Sequence, residues 1–96
     1  MNKKTINFIY ELEYFMDSGL LSQNVYSVLG NAIEMLKDGR FSKREAMEYI
    51  ADWIEKLRKR KYDLTTMDES VYKKVKPKAY SGVLSSLAYS ISAMFR

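Results

Sequence analysis

The residues in this sequence with the clearest potential for chemistry are four carboxylates, Glu45, Glu48, Asp52 and Glu55. Steps of three, four and three residues line them along one helix face. An oxygen-rich row of that kind can hold Mg²⁺ for phosphoryl chemistry. A carboxylate-built, Mg²⁺-dependent phosphohydrolase also needs a second pair on a neighbouring helix. Glu45-x-x-Glu48 supplies one pair, but Asp52-x-x-Glu55 falls on the same helix and nothing at suitable spacing elsewhere completes the set. The reading the row favours over a metal site is a solvated face opposite a Trp/Ile/Leu stripe, with Glu48 and Asp52 repelling each other modestly. Composition narrows the chemistry further. With no His the commonest general base and metal ligand is missing, and with no Cys there is no thiolate site, no cysteine nucleophile and no disulfide framework. The expectation is a non-enzymatic chain with no metal, no cofactor and no small-molecule substrate.

Cations form the second constellation. The net charge of +4 divides into −3 through Glu55 and +7 from Lys56 onward. Lys56, Arg58, Lys59, Arg60 and Lys61 make one cluster and Lys73, Lys74, Lys76 and Lys78 another, with Tyr62, Tyr72 and Tyr80 interleaved. Several cations on one surface displace counterions from phosphates, and aromatic rings stack on unpaired bases, so segment 56–78 is the candidate for nucleic-acid binding. The plainer reading is that cations at a helix C-terminus complement its dipole. A helix-turn-helix around Ile33 to Ile50 does not fit. Its turn is one residue too long, Met35 stands where a small residue is needed, and the recognition helix would present Glu45, Glu48, Asp52 and Glu55 to phosphates.

The third constellation is defined by missing charge. Seventeen residues from Ala79 to Phe95 carry none, although a surface helix of that length ordinarily carries several. Five serines in the stretch, and a length short of the roughly 20 apolar residues a span requires, argue against a membrane anchor. Leu84, Leu87, Ile91 and Met94 form an apolar face. Gly82, Ser86, Ser90 and Ala93, with Tyr89 beside them, form a line of small residues that lets another backbone approach closely. Pairing with a second copy through that line is the preferred expectation, since symmetric dimers are the commonest assemblies. Burial of the helix at the centre of the monomer is its rival. Six Met and eight Tyr exceed the needs of a small core and suit adaptable interfaces, with Tyr26, Tyr62, Tyr72 and Tyr89 the interface candidates and Trp53 a core residue.

Helices must position all of these. Ninety-six residues allow one domain, residues 1–96, and the pattern predicts an all-α, compact bundle of four to five helices at approximately 4–18, 22–38, 42–62, 66–76 and 78–95. In the first, Phe8, Ile9, Leu12, Phe15 and Met16 follow helical spacing, with Ile6, Tyr10 and Tyr14 widening the apolar arc. Gly19 then stops it, with Leu20 and Leu21 folding back as in a Schellman motif. The second places Val25, Val28, Leu29, Ala32, Ile33 and Leu36 on one face and closes at Asp38-Gly39, making an antiparallel hairpin with the first. Ser42-x-x-Glu45 is a capping box opening the third, whose stripe is Ala46, Tyr49, Ile50, Trp53, Ile54 and Leu57. Thr66-x-x-Glu69 reads as a second box, opening a short helix that carries Val71 and Val75, and Pro77 starts the last. The Met1-Asn2-Lys3-Lys4 start resembles a charged leader, but Asn7, Glu11 and Glu13 interrupt the apolar run too early for a signal peptide. The chain therefore reads as a cytoplasmic interaction module, accessory or inhibitory, that binds a protein partner and itself.

Overall fold

The computed structural model describes residues 1–76. These fold into four helices, α1 (Lys3–Asp17), α2 (Gln23–Lys37), α3 (Lys43–Lys59) and α4 (Thr66–Val75), and no strand is present among the described residues. The fold is an all-α bundle. The predicted fifth helix at 78–95 lies outside the described residues.

Each helix begins at a side chain that accepts from its first turn, where backbone donors lack partners. Asn2, a residue the sequence pattern gave no role, accepts from the Thr5 N–H at 2.8 Å and caps α1. Ser22 caps α2 and Ser42 caps α3 in the expected box, with Glu45 reaching back to the Ser42 N–H at 2.8 Å. The box on α4 is shifted by one residue from its predicted place. Thr65, not Thr66, is the cap, and Asp68, not Glu69, returns the bond to the Thr65 N–H at 2.9 Å. Both Thr-x-x-acid frames satisfy the spacing, and tertiary structure chooses between them. The other Asp68 oxygen accepts from the Ser22 N–H at 3.0 Å, so a fully buried carboxylate ties the start of α2 to the start of α4.

The stops are equally specific. Gly39 closes α2 in a Schellman motif, with the Arg40 N–H on the Met35 carbonyl and the Gly39 N–H on the Leu36 carbonyl. The same pair of bonds ends α3 earlier than the predicted residue 62, from Tyr62 to Leu57 and from Lys61 to Arg58. Lys61 takes the left-handed position there, at φ 63°, where glycine is the unstrained choice. At the end of α1 only half of the expected motif forms. The Gly19 N–H meets the Met16 carbonyl, but the Leu20 N–H turns to the Ser18 hydroxyl, which itself donates to the Phe15 carbonyl. Leu20 consequently stays 59% exposed, and only Leu21 packs on the core.

Packing runs up, down, up, down. Met1, Asn2 and Thr5 lie beside Leu36 to Asp38, Asp68 ties the start of α4 to the start of α2, and Arg58 near the end of α3 meets Glu69 while Glu55 meets Tyr72, so each neighbouring pair is antiparallel. The middle of the bundle is shared by α2, which packs against α1 and α3, and α3, which packs against α2, α4 and, less extensively, α1. The predicted face of α2 is buried in full: Val25, Val28, Leu29, Ala32, Ile33 and Leu36. From α3 the core takes Ala46, Ile50, Ile54 and Leu57 as predicted, together with Ala51, while Tyr49 and Trp53 are half-buried at its edge.

Candidate functional site

The carboxylate row on α3 is spoken for at both ends. Glu45 belongs to the α3 capping box, and Glu55 accepts from the Tyr72 hydroxyl at 2.9 Å, leaving Glu48 and Asp52 exposed between them. Among the described residues no group of three or more carboxylates comes together in a way that could hold a metal ion.

The basic segment is divided by the antiparallel packing of α3 and α4. Arg58 makes a bidentate pair with Glu69, at 2.8 and 2.9 Å, and its guanidinium lies 5.2 Å from the centre of the Tyr72 ring. The hydrogen bond from Arg58, reinforced by its charge, holds the Glu69 carboxyl below its ordinary value against the opposing effect of desolvation. Reciprocally, the bond to Glu69 raises the Arg58 guanidinium above its ordinary value. Lys74 leaves this face altogether and reaches Glu11 of α1 at 2.6 Å, and Lys56 sits 5.1 Å over the Trp53 ring. Lys59, Arg60, Lys61, Lys73 and Lys76 are exposed and make no salt bridge with another described residue. Lys59 to Lys61 lie at the end of α3 where α4 begins, whereas Lys73 and Lys76 lie at the far end of α4, about 10–15 Å along its axis. The described cations therefore form two small groups rather than a single patch. Lys78 lies outside the described residues.

Of the interface tyrosines, Tyr26 and Tyr62 are exposed, at 49% and 52%. Tyr72 is not available as expected, because its ring is half-buried against the core and its hydroxyl is bonded to Glu55. Tyr89, Gly82, Ser86, Ser90 and Ala93 lie outside the described residues.

The surface that sequence reasoning misplaced is on α1. Ile6, Tyr10 and Tyr14 do not widen the buried arc; they are 37%, 64% and 72% exposed. At 100° per residue these three point about 160° away from the stripe of Phe8, Ile9, Leu12, Phe15 and Met16. Since α1 has α2 as its main neighbour, only one side of it can be buried. Counting apolar residues around the α1 wheel would have separated the two arcs. The outer stripe runs between two shallow depressions, one lined by Met1, Ile6, Ile9, Tyr10, Glu13 and Lys37, the other by Tyr10, Glu11, Tyr14, Phe15 and Lys74. The arrangement offers apolar and aromatic contact area, which is the chemistry of docking. No described helix is long and apolar enough to cross a membrane. No family model matches the chain, and no curated protein or solved structure matches it either.

Proposed function

We propose that this chain is a non-enzymatic, cytoplasmic interaction module that works by binding another protein, and that it pairs with a second copy through Gly82, Ser86, Tyr89, Ser90 and Ala93. The observation that supports this reading is the position of α2. Val25, Leu29 and Ala32 are fully buried between α1 and α3, so described residues fill the middle of the bundle. That favours a peripheral place for the uncharged segment 79–95 over its rival, the centre of the monomer. A helix at the periphery buries one side against the body and keeps the other. On a side without charge, small residues suit close approach of an identical helix, and twofold pairing is the simplest closed assembly.

Light scattering across a wide concentration range tests the reading. The expected mass is twice that of the 11.3 kDa chain, and Ser86→Arg returns it to that of one chain. A single-chain mass for the unaltered protein at every concentration overturns it.

A further inference from the structure

We infer that the outer stripe of α1, Ile6, Tyr10 and Tyr14, is the seat of this chain's own segment 79–95, docked in cis through Leu84, Leu87, Ile91 and Met94. The inference rests on the pairing proposed above only in using the opposite side of the same segment. Three observations support this inference. First, α4 delivers the chain to α1: Lys74 is bonded to Glu11, one residue from Tyr10, and Lys74 shares a depression with Tyr10 and Tyr14. Ala79 follows the last described residue, Lys76, by three positions, a reach of about 10 Å. Second, direction suits the site. Each described helix reverses its predecessor, and a fifth helix that kept this alternation after a short connection at Pro77 would run parallel to α1 and along the stripe. Third, the surfaces match in extent and character. Ile6 to Tyr14 spans about 12 Å of helix and residues 79–95 about 25 Å, neither with a charge on the contacting positions. A tether this short gives an effective concentration in the millimolar range, which favours the chain's own segment over that of a second copy.

Docking in this way buries the four apolar side chains of the segment and leaves Gly82, Ser86, Ser90 and Ala93 facing outward. The test is amide exchange of residues 84–94 in full-length Ser86→Arg protein, which separates docking from pairing. Protection is expected to persist in this variant independently of concentration. Adding Tyr10→Asp and Tyr14→Asp should accelerate exchange there on the order of tenfold or more. Tyr26→Asp, an equally accessible substitution on α2, should leave it unchanged. Both α1 positions are exposed, and unchanged protection of α2 amides in the same experiment shows that the body is folded. Three results overturn the inference: unprotected 84–94 amides in Ser86→Arg, protection that disappears on dilution and so belongs to a second copy, or protection indifferent to the two α1 substitutions. Should Ser86→Arg remain a dimer by light scattering, the pairing surface is wrong, and the Tyr10 and Tyr14 substitutions still decide the docking.

Discussion

Helices α1 and α2 have fifteen residues each, yet α1 buries three side chains and α2 buries six. Apolar content does not explain the difference, because α1 carries two Tyr, two Phe, two Ile, a Leu and a Met. The cause is how much of each helix is covered. α2 lies between α1 and α3, while α1 packs chiefly on α2, touches α3 less, and leaves Ile6, Tyr10 and Tyr14 exposed. Burial is therefore a property of position in the bundle, and α1 is left with surplus apolar surface that the described residues do not cover.

The attachments of the two helices differ in the same sense. The start of α2 is held by a buried carboxylate from forty-six residues away, since Asp68 accepts from both Ser22 and Thr65. The start of α1 is held by the exposed Asn2, whose cap is purely local. Beyond its core stripe, α1 adds the Lys74–Glu11 pair and the Lys43 ammonium 5.6 Å over the Phe8 ring. α2, α3 and α4 are thus cross-tied, whereas α1 is laid against them.

The largest expected effect tests the core side of this contrast. Leu29→Ala removes a fully buried side chain at the middle of the bundle and should destabilise by about 2–5 kcal/mol. On the same helix the half-exposed Tyr26→Ala should stay within about 0.5 kcal/mol. Denaturant midpoints at constant slope measure both. Comparable losses at the two positions would mean that α2 is not the centre.

Much of this was legible in the amino-acid pattern. The face of α2 emerged complete because a helix with neighbours on two sides carries its burial as an unbroken periodic stripe. The Ser42 box emerged because its two bonds are local. The box on α4 was misplaced by one residue because Thr65-Thr66 and Asp68-Glu69 offer two frames, and the choice depends on Ser22, which is distant in sequence. The outer face of α1 was misjudged because periodicity counts apolar residues without counting the surfaces available to cover them. Whether the two basic clusters share a face was not legible, because linear order hides an antiparallel turn that sends Lys74 to α1 and Arg58 to Glu69.

A smaller effect sharpens the comparison of attachments. Asp68→Ala leaves the Ser22 and Thr65 amides without their acceptor and removes the link between two helix starts, at a cost of about 2–3 kcal/mol. Asn2→Ala removes a single exposed cap bond and should cost roughly 0.5–1 kcal/mol. Amide exchange separates the two further. Asp68→Ala should raise exchange in the first turns of both α2 and α4, and Asn2→Ala only in that of α1. Equal costs, or loosening confined to α4 in Asp68→Ala, would show that the buried carboxylate is not a tie between helices.

The smallest effect concerns the ion pair that helps knit α4 to α3, away from α1. Arg58 lowers the Glu69 carboxyl, so the folded protein binds this proton less readily than the unfolded chain. The associated stability is fully present above the ordinary carboxylate range and disappears as pH falls through the lowered value. Both side chains are partly exposed, at 47% and 40%, so solvent screening keeps the contribution to about 0.2–1 kcal/mol even with bidentate geometry. Arg58→Met should return the Glu69 titration, followed by its side-chain carboxyl resonance, toward the ordinary value and flatten the loss of stability between neutral and acidic pH. Molar salt should weaken the same contribution in the unaltered protein. A Glu69 titration indifferent to Arg58 would mean that the ion pair does not help join α3 to α4, leaving their apolar stripe and the Tyr72–Glu55 hydrogen bond to do so.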